Sequence, residues 1–255
     1  MPRVIIIGSG NVAYTFGRRL KEKGCEIRQV HSRNPGEGAA LARDLEATYV
    51  DAPKDLDPEV EIIMIAVSDD AIHETARSIP KTSALVVHCS GSTPLSVLPQ
   101  RSRAVIWPLR SIAKGQQMTW HDMNIIMESD SDYASVRAMD LIALLGAKAV
   151  EMDSQRRKMA HLIAVILNNF SNHLLHMADV LCAEVALDRR IFQDLMEHTL
   201  HNSGPAIESQ TGPAVREDDL TMDKQMKLLA DHPHFKDVYE AISRSIIKEK
   251  NDQEL

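Results

Sequence analysis

Residues 4–13 read Val-Ile-Ile-Ile-Gly-Ser-Gly-Asn-Val-Ala. The branched apolar run predicts a buried strand, and the apolar spacing over 12–23 predicts a helix directly after it. Between them lies a G-x-G-x-x-A motif, which in this context indicates a dinucleotide site. Gly8 permits the tight turn, Gly10 lets the backbone approach a pyrophosphate, and the small Ala13 lets helix and strand pack closely. The expected phosphate-binding residues are Gly8, Ser9, Gly10, Asn11 and Val12. The alternative is a structural glycine turn that holds no ligand.

The alternation of strands and helices continues through the first part of the chain. Further strands rich in Val and Ile are expected at 27–30, 62–67, 85–87, 105–106 and 124–127. Helical spacing is found at 38–45, 71–78 and 133–145. This alternation predicts an α/β fold, with an N-terminal Rossmann-type and mostly parallel sheet that has helices on both faces.

After about Asp153 the strand patterns stop and long helical segments follow. They are expected at 154–183, 189–201 and 235–249, with a looser helix near 221–230. We therefore predict two domains: a nucleotide-binding domain over 1–152 and an all-helical domain for substrate binding and dimerisation over 153–255.

Composition and charge narrow the class of protein. The 255 residues carry a net charge of -7, which argues against nucleic acid and anionic lipid as partners. The three cysteines lie far apart, as expected in the reducing cytoplasm, and they indicate neither a disulfide scaffold nor a metal site. Residues 161–178 carry no formally charged side chain, but their histidines and asparagines would make insertion into lipid costly. We expect this segment to be a buried helix rather than a membrane span.

The end of the second strand bears on the choice of cofactor. An NAD site usually places Asp or Glu there, whereas residues 29–34 contain no acid. Ser32 and Arg33 offer a hydroxyl and a guanidinium, which suit the 2′-phosphate of NADP. The alternative is that Arg33 is an ordinary surface arginine.

Two later strand ends should also face the cofactor, because ligands bind at the carboxyl edge of such sheets. We expect Val67, Ser68 and Ser90 to contact the cofactor and Gly91 to line the substrate pocket. For the second of these ends, a plain turn is the alternative.

The candidate catalytic residues lie on the uncharged helix. On a helical wheel, His161, Asn169 and Asn172 share one polar arc that contains imidazoles and amides but no Lys or Glu. Such groups suit the wall of a partly buried cleft, whereas the alternative is a satisfied core or surface position. An imidazole can donate a proton near neutral pH, so His161 is the expected general acid, with Asn169 and Asn172 holding substrate or orienting the ring. No metal ion is expected.

At this point the sequence resembles a known group of proteins. It is similar to Rossmann-like oxidoreductases that pair an NADP-binding domain with a helical C-terminal domain, related to deazaflavin-type NADP oxidoreductases, pyrroline-5-carboxylate reductase and ketopantoate reductase. The segments that carry the resemblance are 8–12, 67–70, 88–92, 107–111, the helix with His161, Asn169, Phe170 and Asn172, and 210–214. The resemblance implies a C-terminal domain like that of 6-phosphogluconate dehydrogenase, a homodimer, and a catalytic cleft between the domains.

Two departures from the family pattern bear on the chemistry. Residues 107–110 read Trp-Pro-Leu-Arg where the family usually has Tyr and Gln, so the substrate preference is expected to differ. Related hydroxyacid dehydrogenases use a lysine on the first long helix of the second domain. Here His161 stands in that region with Arg157 one turn earlier, so the related mechanism cannot be copied directly.

The function expected from these features is NADPH-dependent reduction of a small carbonyl or imine substrate, such as a 2-oxo acid. Arg110 or Arg157 would bind a substrate carboxylate, and Gln210 and Thr211 would close the pocket. Two alternatives remain: an NADP-binding sensor or assembly protein without turnover, and hydride exchange between NADP and a deazaflavin coenzyme.

Overall fold

The computed structural model describes residues 1–201 and 204–253. Within them, one eight-stranded sheet has the order β3-β2-β1-β4-β5-β6-β7-β8. The strands are β1 (Arg3–Ile7), β2 (Glu26–His31), β3 (Thr48–Val50), β4 (Ile62–Ile65), β5 (Leu85–His88), β6 (Arg103–Pro108), β7 (Asn124–Ser129) and β8 (Lys148–Glu151). Only the pairing of β6 with β7 is antiparallel among these neighbours. The predicted mostly parallel sheet is confirmed.

The two strands that the sequence analysis did not predict are those at the ends of this sheet. β3 has only three residues, and most of β8 is exposed. An outer strand buries few side chains, so neither a continuous apolar run nor a strict alternation marks it in the sequence.

The helices occupy the segments expected of them. They are α1 (Asn11–Glu22), α2 (Pro35–Leu45), α3 (Ile72–Ser78), α4 (Asp132–Leu145), α5 (Ser154–Ala164), α6 (Ser171–Glu184), α7 (Gln193–His201), α8 (Asp219–Leu228) and α9 (Pro233–Gln253). The ends of α4 illustrate how neighbouring residues determine where a helix begins and ends. The hydroxyl of Ser131 accepts the N–H of Ala134 at the start, and Gly146 adopts a left-handed conformation at the end.

β1 is buried on both faces of the sheet, as its apolar sequence predicts. Val4 and Ile6 point into one core cluster with Phe16 of α1. Ile5 and Ile7 point into the opposite cluster with Ile72 of α3. Each such side chain contributes about 1.5–3 kcal/mol when fully buried, so both clusters hold β1 and the turn that follows it in place.

The long helix predicted over 154–183 is interrupted in the structure. A π-helical segment, Val165–Phe170, separates α5 from α6. The expectation of a buried helix over 161–178 is not met within the single chain, where Leu167 is 69% exposed and Phe170 is 54% exposed. A segment without charged side chains can be buried, but this composition does not determine whether its own chain covers it. None of the helices in the described residues combines the length and the hydropathy that a membrane span requires.

The contacts within the chain divide it into two compact units, Met1–Phe170 and Ser171–Leu255. The first unit contains the sheet and α5. The second has its own small core, in which Met177, Leu229 and Phe235 are buried. The proposed boundary between residues 152 and 153 lies before this division and stays a prediction.

Candidate active site

The turn between β1 and α1 has the features that a dinucleotide requires. Gly8 has φ +124°, and a Cβ atom there would lie 2.1 Å from the carbonyl oxygen of Ala66, so only glycine fits. A Cβ atom on Gly10 would meet nothing within 4 Å, which leaves open space in front of the turn. In the described part of the chain, no side chain caps the start of α1. Its first N–H groups can therefore bind an anion, and the turn fits a pyrophosphate.

At the end of β2, Ser32 is buried and Arg33 is exposed. The Ser32 hydroxyl oxygen lies 2.8 Å from that of Ser9. Ser9 in turn donates a hydrogen bond of 3.0 Å to the carboxylate of Glu37. Although the strand end itself carries no acid, as the sequence analysis noted, the first turn of α2 brings one to the same place. The only sequence signal for Glu37 was its capping-box spacing from Asn34, which explains the start of a helix but not a role in a site.

The end of β4 lies close to Arg33. A hydrogen bond from Ser68 lowers the pKa of the Asp70 carboxyl, and the positive charge of Arg33 lowers it further. Val67 is partly buried and Ser68 is exposed. Arg33 therefore lies close enough to Asp70 for its charge to act on that carboxyl.

The segment after β5 forms a hydrogen-bonded turn. The Ser90 hydroxyl oxygen accepts the N–H groups of Ser92 and Thr93 at 3.2 and 3.0 Å, and the hydroxyl donates to the Thr93 side chain. The preceding His88 is completely buried and accepts the Ser90 N–H through Nδ1. Burial lowers the pKa of His88 to about 4, with a further contribution from Arg157, so the imidazole is neutral at physiological pH. These bonds match the alternative of a plain turn for Ser90, and its contact with a cofactor stays a prediction.

His161 packs directly over this turn. A Cβ atom on Gly91 would lie 2.5 Å from Cδ2 of His161 and 2.7 Å from the ring of Trp107, so glycine allows both rings to approach. The rings of His161 and Trp107 have centroids 5.4 Å apart and are tilted by 55°. Because Trp107 comes from β6 and Gly91 follows β5, α5 places His161 at the carboxyl edge of the sheet.

A pocket of about 720 Å³ opens beside this contact within the first unit. It brings together the predicted residues His161, Asn169 and Arg110, together with Trp107. Its other lining residues are Pro108, Leu109, Ser111, Gln116, Ala160, Ile163, Ala164, Val165, Leu167 and Asn168. The pocket thus combines an imidazole, a guanidinium and side-chain amides with an aromatic and aliphatic wall, which is the usual composition of a small-molecule site.

The π-helical segment affects which side chains reach this pocket. A π-helix winds more widely than an α-helix, so the 100° spacing used in the sequence analysis does not hold across Val165–Phe170. Asn168 and Asn169 are adjacent in sequence, and both line the pocket. Single π-helical turns of this kind are frequent at functional sites.

Arg157 is completely buried and is bonded within the protein. Its guanidinium donates to Oε2 of Glu128 at 2.7 and 3.1 Å, and to the carbonyl oxygens of Ser90 and Gly91 at 3.1 and 2.9 Å. The sequence analysis missed Glu128, for which the only signal was a charged residue near the end of an apolar strand. Arg157 therefore ties α5 to β7 and to the turn below His161.

The remaining predicted residues lie in the second unit. Asn172 is exposed on α6, and Gln210 and Thr211 are exposed after α7. Their roles toward a substrate stay predictions.

Comparison with known proteins supports the assignment of the fold and class. Residues 3–90 match the family described as NADP oxidoreductase coenzyme F420-dependent, and residues 123–246 match Domain of unknown function (DUF2520). Comparison with curated proteins finds no match.

Solved structures resemble almost the whole chain. A candidate NADP oxidoreductase from Bacteroides fragilis is 27% identical, with TM-score 0.85, over 97% of this chain and 98% of that one. An imine reductase from Myxococcus stipitatus in complex with NADP+ is 13% identical, with TM-score 0.69, over 97% and 95% of the two chains. A pyrroline carboxylate reductase from Plasmodium falciparum with NADP bound is 12% identical, with TM-score 0.56, over 98% and 97%. The last two likenesses concern the fold alone.

The resemblance inferred from the sequence is confirmed by these findings. The mostly parallel sheet and the glycine turn after β1 are the features expected of the nucleotide-binding family that matches residues 3–90, and the second match covers most of the helical C-terminal part. The chain thus has a Rossmann-like fold in which a segment matching the F420-dependent NADP oxidoreductase family is followed by one matching DUF2520, and these matches together indicate an NAD(P)-dependent oxidoreductase.

Proposed function

We propose that this protein is an NADPH-dependent reductase of a small carbonyl or imine substrate, such as a 2-oxo acid. The observation that carries the proposal is the pocket in which His161, Trp107 and Arg110 meet at the carboxyl edge of the sheet. These side chains provide a proton donor, an aromatic wall and a cation. The names of the imine reductase and the pyrroline carboxylate reductase with the same fold support this class of substrate.

The cofactor would be held by residues at three strand ends. Gly8, Ser9, Gly10, Asn11 and Val12 would hold the diphosphate of NADPH, as the open turn before α1 suggests. Ser32 and Arg33 would hold its 2′-phosphate, and the residues after β4 and β5 would line the rest of the site. Bound NADPH supplies a hydride to the substrate.

His161 would hold and donate the proton that the substrate oxygen or nitrogen takes up. Its ring is fixed against Gly91 and Trp107, so the proton is presented from a defined position. Asn169, on the wall of the same pocket, would donate a hydrogen bond to the substrate.

Arg110 would bind a substrate carboxylate. It is exposed and lines the pocket, whereas the Arg157 guanidinium is buried and already bonded to Glu128. Of the two arginines considered, Arg110 is therefore the one whose guanidinium is exposed in the pocket, where a carboxylate could bind it.

The test is the variant His161→Ala, with His73→Ala as a matched control, since His73 is an exposed histidine on α3. NADPH consumption is followed with a panel of 2-oxo acids, cyclic imines and a deazaflavin coenzyme. We expect His161→Ala to bind NADPH normally and to lose about 10²–10⁴-fold in turnover, the usual contribution of a general acid. Unchanged turnover would remove His161 from the mechanism. Tight binding of NADPH without turnover of any substrate would favour the sensor or assembly function instead.

We also propose that the protein acts as a homodimer. Apolar side chains on α5 and the π-helical segment are exposed in the single chain: Leu162, Ile163, Ile166, Leu167 and Phe170. Exposed apolar surface of this extent is typical of an interface. Light scattering after gel filtration should give twice the mass of one chain, and Leu167→Glu should reduce it to that of a monomer.

A further inference from the structure

The hydroxyl groups of Ser9 and Ser32 connect the dinucleotide turn to a carboxylate. Ser9 donates to Oε2 of Glu37 at 3.0 Å, and its oxygen lies 2.8 Å from that of Ser32. A carboxylate can only accept, and Ser9 has a single hydroxyl hydrogen, so Ser32 must donate to Ser9. The Ser32 oxygen in turn accepts the backbone N–H of Asn34 at 3.2 Å. The chain of donors therefore ends at the Glu37 carboxylate.

The backbone holds Glu37 in this position. A Cβ atom on Gly38 would lie 2.9 Å from Cβ of Ser32 and 2.6 Å from the ring of Tyr49, so glycine lets α2 lie close to the end of β2. Asn34 accepts the N–H of Glu37 and sets the first turn of α2. The Tyr49 hydroxyl donates to the backbone oxygen of Ser32 at 3.2 Å. The packing of α2 therefore places the backbone of Glu37 beside the end of β2, within reach of Ser9 for its side chain.

We propose that Glu37 limits the preference of this protein for NADPH over NADH, by weakening the binding of NADPH relative to that of NADH. The proposal rests on the proposed function, because it requires that the turn after β1 binds a nicotinamide cofactor. A 2′-phosphate carries negative charge and can only accept hydrogen bonds, so Ser32 must withdraw its hydrogen from Ser9 before it can donate to the phosphate, and the Glu37 carboxylate adds repulsion. A ribose 2′-hydroxyl can instead donate to the carboxylate. Arg33 acts in the opposite direction, since its cation favours the phosphate.

The experiment measures the dissociation constants of NADPH and NADH from the fluorescence of the reduced nicotinamide, without any substrate. For Glu37→Gln we expect the ratio of the NADH constant to the NADPH constant to rise about tenfold, which corresponds to about 1.4 kcal/mol. The exposed position of Glu37 and the near-identical shape of glutamine keep the fold intact. Arg33→Ala should lower the same ratio.

The matched control is Glu46→Gln, at the other end of α2. It removes the same charge from a side chain that is 82% exposed and paired with Lys21 at 2.9 Å. If Glu37→Gln and Glu46→Gln change the ratio equally, or neither changes it, the proposal is overturned while the nucleotide site stands. If the wild-type protein binds neither NADPH nor NADH, the proposed function itself fails.

Discussion

The buried pair of Arg157 and Glu128 should contribute far more to stability than the exposed pair of Arg3 and Glu61. The side chain of Arg157 is fully buried and that of Glu128 is 14% exposed, whereas Arg3 and Glu61 are 39% and 42% exposed. Glu128→Gln leaves a guanidinium in the core without its counter-charge. Breaking a buried pair in this way costs about 3–5 kcal/mol. Because glutamine keeps one acceptor oxygen and the Ser90 carbonyl remains, we expect the free energy of unfolding to fall by about 3 kcal/mol, against less than about 1 kcal/mol for Glu61→Gln.

Urea denaturation followed by tryptophan fluorescence measures this difference. Both tryptophans, Trp107 and Trp120, belong to the first unit, so the signal reports on the unit that contains the pair. The double variant Arg157→Met with Glu128→Leu removes both charges and should recover much of the loss, because similar apolar replacements are often tolerated. The reasoning is refuted if Glu128→Gln destabilises the protein no more than Glu61→Gln does.

Two further predictions concern the turn after β1 and the response to acid. Gly8→Ala should abolish NADPH binding in a fluorescence titration and lower the stability of the fold. The reason is that the new Cβ atom would lie 2.1 Å from the Ala66 carbonyl oxygen, at a φ of +124° that alanine rarely adopts. Normal NADPH binding by this variant would contradict the assigned turn. A hydrogen bond from Arg3 lowers the pKa of Glu61 to about 2 in the folded protein. The unfolded chain therefore takes up the proton first, so the difference in stability between wild type and Glu61→Gln should be constant above about pH 5 and vanish as the pH falls to about 2. Urea midpoints across this range test the expectation, and a difference that persists at the lowest pH would exclude it.

Much of the fold could be predicted because its signals are local. The strands near the middle of the sheet are buried on both faces, so they occur as continuous runs such as residues 4–7 and 62–65. The starts and ends of helices depend on neighbouring residues, as at Ser131 and Gly146 of α4. β3 and β8 gave no such signal, since strands at the ends of the sheet bury little.

The candidate site could be predicted only in part, because its residues come from distant segments. Gly8 and Gly10 were found from their spacing, and His161 from the segment 161–178, which carries no formally charged side chain. Their neighbours depend on packing: Trp107 and Gly91 come to His161 from two different strand ends.

The sequence by itself determined the central strands, the dinucleotide turn and the change from alternating to helical structure, since each depends on residues close together in the chain. Tertiary structure alone decided that Glu37 reaches Ser9, that Arg157 is held by Glu128, and that α5 ends in a π-helical segment. The first two are contacts between residues that lie far apart in the chain, and no repeating sequence pattern predicts such pairs. They form only when α2 packs on β2 and α5 packs on the end of the sheet.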